Sequence, residues 1–200
     1  MIRRDTKGTK EKKQIAIFAS GAGSNAQKII DHFKLTEKGV KVVLIASNNP
    51  KAGVLKIAEK ENIPSLIFDR KKFYEDGYLA ELNKYKIDLI VLAGFLWKVP
   101  AELIQSYQNK IINIHPALLP KYGGKNMYGN FVHEAVLNTE EKESGITIHY
   151  VDEIYDNGTI IFQTKCEVDE YDTPQTLAKK VQILEHKYYT AVIEKLLSRP

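Results

Sequence analysis

The sequence has a single cysteine and no long apolar run, and each absence excludes a class of protein. Because Cys166 is the only cysteine among 200 residues, neither an intrachain disulfide nor a cysteine zinc site is possible. No apolar run approaches the roughly 20 residues that a transmembrane helix requires. The basic N-terminal segment lacks the apolar core and cleavage site of a signal peptide. We therefore expect a cytoplasmic protein without a membrane partner.

The motifs of several enzyme classes are also missing. The chain contains no GxGxxG dinucleotide fingerprint, no Walker A sequence and no GxSxG nucleophile motif. His115, His133 and His149 lack the short spacing of a metal-ligand pair, so no metal site is expected. Cys166 lies in a strand-like run, which favours a packing role over a nucleophilic one.

The residues that are present are typical of one soluble globular domain, with 44% hydrophobic and 27% charged residues. Much of the net charge of +4 lies in MIRRDTKGTKEKK at the N-terminus. This segment has no apolar periodicity, so residues 1–13 are predicted to be a disordered basic tail before a single domain, 14–200. Its charges are mixed in sign and no aromatic residue is interleaved, which favours a solvated tail over binding to nucleic acid.

Apolar runs of strand length alternate with helical patterns along the chain. The strands are predicted at 14–20, 41–47, 63–68, 88–94, 110–115, 146–151 and 159–164. The helices are predicted at 26–34, 51–62, 73–85, 131–137 and from residue 172 onward. This alternation indicates an α/β fold with a doubly wound, mostly parallel sheet. Asn157-Gly158 predicts a hairpin between the last two strands, which would form an antiparallel C-terminal edge.

Two stretches offer polar groups at strand ends. GAGSN at 21–25 follows the first strand and opens a helix, an arrangement that presents backbone N–H groups to an anion. Asn113 and His115 are two residues apart in a strand and therefore point to the same face. Both stretches also suit structural roles, as a plain strand-to-helix turn and as partners for loose backbone groups.

In parallel α/β sheets, ligands bind beyond the carboxyl ends of the strands. GAGSN, the basic pair after residue 69, FLWKV at 95–99 and Asn113/His115 all lie at such ends. A carboxylate from the later loop, such as Asp156, would complete a general acid/base pair with His115. Asn113 would then donate to a developing oxyanion, which suits acyl transfer. Asp156 is equally an ordinary turn residue.

Six segments, taken in order, resemble the glycinamide ribonucleotide formyltransferases, transferases of purine biosynthesis and one-carbon metabolism. They are GAGSN, ASNNPKAGVLKIAE, DLIVLAGF, NIHPALLPKY, SGITIHYVDEIYDNG and VQILEHKYY. The similarity covers about residues 14–197. NIHPxLLP is shared with other formyltetrahydrofolate enzymes, whereas GxGSN and QxxEH are more specific to the glycinamide ribonucleotide formyltransferases. The length favours this family over methionyl-tRNA formyltransferases and formyltetrahydrofolate deformylases, which carry an additional domain.

The resemblance implies a Rossmann-like formyltransferase fold and transfer of a formyl group from 10-formyltetrahydrofolate, a co-substrate, to the amine of glycinamide ribonucleotide. It implies that Asn113 and His115 stabilise the tetrahedral oxyanion, and that Asp156 holds His115 and helps to move a proton. No metal is implied, and a monomer or homodimer is expected.

The resemblance also implies two sets of binding residues. The ribonucleotide set is Gly23, Ser24, Asn25, Arg70, Lys71, Gln182 and Glu185, with either Arg70 or Lys71 at the phosphate. The folate set is Leu96, Trp97, Lys98, Val99, Asp152, Glu153, Ile154 and Tyr155.

Two departures from the family pattern stand out. The chain reads KYGG where the family commonly has KYPG, and a longer, glycine-rich loop follows; residues 121–130 are predicted to be mobile. Trp97 stands where the family often has Arg. Alternative functions are formyl transfer to another amine, such as a nucleotide sugar, and a non-catalytic nucleotide- or folate-binding module.

Overall fold

The computed structural model of the protein describes residues 12–36 and 38–198. Within these ranges the strands are β1 (Lys13–Phe18), β2 (Val40–Ser47), β3 (Ser65–Ile67), β4 (Leu89–Leu92), β5 (Ile111–His115), β6 (Glu143–Tyr150) and β7 (Ile160–Glu167). The helices are α1 (Ser24–Thr36), α2 (Gly53–Lys60), α3 (Arg70–Asp76), α4 (Leu79–Asn83), α5 (Ala101–Ser106), α6 (Asn130–Asn138) and α7 (Pro174–Leu197). Residues 1–11 of the predicted tail lie outside the described residues, and Lys13 already belongs to β1.

The strands form one sheet in the order β3-β2-β1-β4-β5-β6-β7. Strands β1 to β5 pair in parallel, whereas β6 and β7 are antiparallel to their neighbours. The predicted α/β class with an antiparallel C-terminal edge is therefore confirmed. The strand order reverses direction beside β1 and β4, and ligand crevices form at such points in open α/β sheets.

Alternate residues of β1 enter two separate hydrophobic cores, as expected for a strand covered on both faces. Ile15 and Ile17 pack with α1, α2, α6 and α7, whereas Ala16 and Phe18 pack with α3, α4 and α5. All four side chains are fully buried. Within the described ranges, no helix combines the length and the apolar character needed to cross a membrane.

The helix predicted at 73–85 is wrong, because the chain forms two short helices there. Gly77 ends α3 with φ 60°, and Tyr78 continues in the left-handed region with φ 57° before α4 begins. A Cβ on Gly77 would lie 3.3 Å from Leu103 Cβ, so the break also lets this segment approach α5 closely. The residue pattern is helical on both sides of Gly77, so the sequence does not reveal that the chain changes direction at this glycine.

The two C-terminal strands pair as an antiparallel hairpin, as predicted. Residues 151–159 connect β6 to β7, and this segment is called the β6–β7 loop below. It folds back on the strand, because the Tyr150 N–H donates to the Thr159 carbonyl oxygen at 2.9 Å. A Cβ on Gly158 would lie only 1.8 Å from the Tyr150 carbonyl oxygen. This close return positions Asp156 over the sheet edge.

Candidate active site

A cavity of about 460 Å³ lies at the carboxyl ends of β1, β4 and β5. Four parts of the chain supply most of its walls: residues 21–25, 93–96, 113–116 and 124–130. The β6–β7 loop adds Tyr155 and Asp156, and α7 adds Gln182 and Glu185. The structure thus brings the GAGSN loop, the Asn113/His115 strand end and the Asp156 carboxylate to one cavity, because parallel strands end at the same edge.

His115 is held as a neutral ring at the end of β5. Its side chain is 3% exposed, and Nε2 lies 2.7 Å from the Tyr122 carbonyl oxygen, which can only accept, so Nε2 carries the proton. Nδ1 then presents its lone pair 3.6 Å from Asp156 Oδ1. Burial lowers the pKa of His115 and outweighs the raising effect of the Asp156 charge. The ring is therefore a proton acceptor facing a carboxylate.

Asp156 is an ionised carboxylate in a strained turn, with φ 54°. The Gly124 N–H donates to Oδ2 at 2.8 Å, and His149 Nε2 lies 3.7 Å from Oδ1. Burial raises the pKa of Asp156, but its polar surroundings, among them the Gly124 N–H, outweigh that effect and leave the pKa below its ordinary value. The loop after β5 and the β6–β7 loop thus meet at this side chain.

His149 is a site residue that sequence reasoning placed only inside a strand. Antiparallel pairing sets it opposite Asn113, whose Nδ2 lies 3.1 Å from His149 Nε2. His149 Nδ1 donates to the Tyr150 carbonyl oxygen at 2.8 Å, so Nε2 accepts from the Asn113 amide. This contact orients Asn113 with its N–H groups toward the site, and Nδ2 also lies 3.5 Å from Asp156 Oδ1. The signal available in the sequence was a histidine within the strand-like run ITIHYV.

The GAGSN loop connects β1 to the first residues of α1. Gly23 has φ 85°, and a Cβ there would lie 2.9 Å from side-chain atoms of α2. Ser24 opens α1, and its Oγ accepts from Gln182 Nε2 at 3.3 Å. Asn25 Nδ2 donates to Glu185 Oε2 at 2.9 Å. The loop and α7 therefore form one wall of the cavity, with the free N-terminus of α1 pointing into it.

Glu185 is a largely buried carboxyl group in this wall. Burial raises its pKa, and the hydrogen bond from Asn25 offsets only part of that effect. A hydroxyl group that donates to Glu185 would supply the hydrogen bonding that the carboxylate lacks in the free protein.

The structure does not bring the predicted phosphate-binding cations Arg70 and Lys71 to this cavity. The Arg70 guanidinium lies 5.9 Å from the centre of the Trp97 ring, and Lys71 pairs with Glu75 on the exposed face of α3 at 3.7 Å. Helix α3 follows the edge strand β3, and its N-terminus reaches the Trp97 side of the sheet instead of the GAGSN loop. The position of Arg70 and Lys71 after a strand does not show whether they reach the Trp97 side of the sheet or the GAGSN loop.

A smaller pocket of about 60 Å³ adjoins the first cavity. Of the predicted folate set, Trp97, Lys98, Val99, Asp152, Ile154 and Tyr155 line it. Leu96 lines the larger cavity instead, and Glu153 lines neither of the two. Asn113, Tyr155 and Asp156 border both pockets, so the candidate catalytic groups lie where the two spaces meet. Over the described ranges, no cluster of three or more histidine, cysteine or carboxylate side chains could hold a metal ion.

Residues 13–193 match the family model described as Formyl transferase. The phosphoribosylglycinamide formyltransferase of Bacillus subtilis (strain 168) is 39% identical over 190 residues, which are 92% of this chain and 95% of that protein. The chain belongs to the phosphoribosylglycinamide formyltransferase family. The chloroplastic phosphoribosylglycinamide formyltransferase of Arabidopsis thaliana is 42% identical over 188 residues, which are 91% of this chain and 64% of that protein.

Solved structures of the family share the fold as well. The phosphoribosylglycinamide formyltransferase of Bacillus halodurans has a TM-score of 0.85 at 38% identity, over 94% of this chain and 96% of that one. The glycinamide ribonucleotide transformylase 1 of Geobacillus kaustophilus has a TM-score of 0.86 at 34% identity, over 94% and 100% of the two chains. The predicted family and fold are confirmed, whereas the roles of individual site residues stay predictions.

The neutral histidines of this family member predict a pH-dependent stability. Burial lowers the pKa values of His115 and His133 below the ordinary value of 6.5. The unfolded chain then binds protons before the folded chain does, so the free energy of unfolding should fall as the pH drops below 6.5. We expect urea denaturation at pH 7.5 and 5.5 to show this loss.

Glu185 has the opposite effect on the pH dependence of the free energy of unfolding, because its pKa is raised in the folded chain. The matched comparison is therefore the double variant His115→Gln/His133→Gln, which keeps Glu185. Its free energy of unfolding should decline less than that of the wild type between the two pH values. Equal declines would contradict the assignment of both rings as buried and neutral.

Proposed function

We propose that the protein transfers the formyl group of 10-formyltetrahydrofolate to the amine of glycinamide ribonucleotide, a step of purine biosynthesis, as a cytoplasmic single-domain enzyme comprising residues 14–200. The observation that carries this proposal is the meeting of Asn113, His115 and Asp156 in the larger cavity, at the point where Asn113 and Asp156 also border the smaller pocket. One pocket leads to an anion-binding helix terminus and the other to an aromatic wall. A transfer reaction between two substrates needs two binding pockets that meet beside the catalytic residues.

The larger cavity suits the ribonucleotide. The N-terminus of α1 and the Ser24 hydroxyl group would bind its phosphate. Glu185 would accept from the ribose hydroxyl groups, which lie between the phosphate and the amine. The amine would then reach the Asn113, His115 and Asp156 end of the same cavity. Arg70 and Lys71 are not needed for this placement, since both lie elsewhere.

The smaller pocket suits the ring system of the folate. Trp97, Val99 and Ile154 supply apolar contact area, and Asp152 supplies a hydrogen-bond acceptor. Trp97 packs against Phe73 with ring centres 5.6 Å apart and bears Arg70 at its face. The formyl group would then lie beside Asn113 and Asp156, which border both pockets.

The three polar residues divide the chemistry between them. The amine lone pair attacks the formyl carbon, and the carbonyl electron pair moves to oxygen. One Asn113 N–H is bonded to His149, and the other donates to that oxygen as its charge develops. Asp156 and His115 take the proton from the attacking nitrogen, and this proton passes to the departing folate nitrogen as the bond from carbon to that nitrogen breaks.

The pairing of His115 with Asp156 suits this proton transfer. The neutral ring accepts a proton on Nδ1 and becomes an imidazolium ion facing the Asp156 carboxylate, while Nε2 stays bonded to Tyr122. The separation of 3.6 Å is longer than a hydrogen bond. Catalytic contacts of this kind commonly shorten when substrate binds. The positive charge of the imidazolium ion then stabilises the nearby oxyanion.

The direct test is to incubate the protein with glycinamide ribonucleotide and 10-formyltetrahydrofolate. We expect one equivalent of tetrahydrofolate and one of formylated ribonucleotide, measured by absorbance and mass spectrometry. A nucleotide sugar bearing a free amine, offered under the same conditions, should give no product. Binding of both substrates without turnover would instead support a non-catalytic module and contradict the proposal.

A further inference from the structure

His133 is a buried histidine in the larger cavity that the proposed chemistry does not use. It lies on the inner face of α6 beside Val132 and Val136. Val136 packs in the core shared with α7, whereas His133, about one turn closer to the helix start, lines the cavity. Its residue surface is only 4% exposed. A polar ring kept at such a position costs stability unless it acquires a partner.

The hydrogen bonding of the ring indicates which nitrogen faces the cavity. Nδ1 is buried and has no hydrogen-bond partner among the described residues. A buried acceptor without a partner is tolerated more readily than a buried N–H without one. The proton of the neutral ring therefore lies on Nε2, the nitrogen that the cavity can reach. His133 thus offers one N–H donor to a ligand.

The position of His133 along the cavity identifies the part of the ribonucleotide that it would meet. His133 and His115 line the same cavity, and burial lowers the pKa of His133, so its ring stays neutral. His115 marks the end of the cavity where the amine reacts. The GAGSN loop and Glu185 mark the phosphate and ribose end. His133 therefore lies beside the segment that joins the ribose to the amine.

That segment of glycinamide ribonucleotide is an amide, and its carbonyl oxygen lies two bonds from the carbon that bears the amine. A carbonyl oxygen needs an N–H or O–H donor when it is buried. A neutral imidazole donor satisfies it without placing a positive charge beside the amine, which must stay unprotonated to attack.

We propose that His133 binds the glycinamide carbonyl oxygen of the ribonucleotide through its Nε2–H group and so selects substrates with an amide between ribose and amine. This inference rests on the proposed function. It assigns His133 to substrate binding, separate from the Asn113, His115 and Asp156 group.

The test compares two variants that differ in one donor. His133→Gln places an amide N–H near the position of Nε2, whereas His133→Phe keeps the ring shape without a donor. We expect the Phe variant to raise the KM for glycinamide ribonucleotide by about fivefold to tenfold, the effect of one neutral hydrogen bond. The Gln variant should stay within about threefold of the wild type. kcat and the KM for the folate should change little, because the contact exists before and during reaction.

Ribose 5-phosphate is the matched probe, because it contains the phosphate and ribose but no glycinamide carbonyl. Its inhibition constant should be the same for the wild type and the Phe variant. An unchanged KM in the Phe variant would overturn the inference, and so would an equal loss of ribose 5-phosphate binding. Circular dichroism of both variants checks the fold. A wild type without turnover would instead refute the proposed function itself, before any variant is compared.

Discussion

Asp156→Asn is expected to reduce kcat by about 100-fold to 10,000-fold, the range associated with loss of a general acid/base group. The carboxylate faces both His115 and His149, and asparagine can neither accept the proton nor stabilise an imidazolium ion. The amide oxygen can still accept from the Gly124 N–H, so the loop contact is retained. Steady-state kinetics with both substrates measures this loss.

The control for this variant is Asp169→Asn, which removes the same charge from an exposed pair with Lys180 on the surface. That variant should keep wild-type kcat. Circular dichroism and urea denaturation should show that Asp156→Asn is folded. A kcat for Asp156→Asn within tenfold of the wild type would refute the role of this carboxylate in proton transfer.

Gly158→Ala is expected to reduce kcat by about 100-fold, although residue 158 lines neither pocket. The added Cβ would lie 1.8 Å from the Tyr150 carbonyl oxygen, which is backbone and cannot rotate away. The β6–β7 loop must therefore shift and carry Asp156, two residues earlier, out of line with His115. A displacement of about 1 Å at a catalytic group has effects of this size.

The comparison for Gly158→Ala is Asn157→Ala in the same loop. That substitution removes only an exposed hydrogen bond from Asn157 Nδ2 to Asp152 Oδ2 and adds no atom beside Tyr150. It should cost much less activity. Thermal unfolding of both variants separates loss of geometry from loss of the fold. If Gly158→Ala retained kcat within threefold, the loop would not set the position of Asp156 in the way described.

Parts of the structure that depend on neighbouring residues along the chain were predictable. Apolar runs bounded by turn residues located the strands, and their alternation with helical patterns predicted the parallel sheet. Because parallel strands end at one edge, GAGSN and Asn113/His115 were expected to meet, and they do. The motif match placed the chain in its family. These inferences rely on spacings of a few residues, where sterics and hydrogen bonding are local.

The loops show where local reasoning failed. Asn157-Gly158 indicates a hairpin between the last two strands but does not show that the β6–β7 loop returns to Tyr150. Arg70 and Lys71 lie at a strand end as expected, but the edge position of β3 directs them away from the GAGSN loop. Loop paths depend on the surface against which they pack, which sequence spacing does not describe.

The sequence by itself determined the fold class, the family and the two residues at the end of β5. Only the tertiary structure decided what surrounds them. His149 faces Asn113 through strand pairing, the Tyr122 carbonyl sets the tautomer of His115, and the Gly124 N–H binds Asp156. These contacts join residues far apart in the chain or depend on the path of a loop. Burial shifts the protonation of such groups, and burial exists only once the whole sheet has packed.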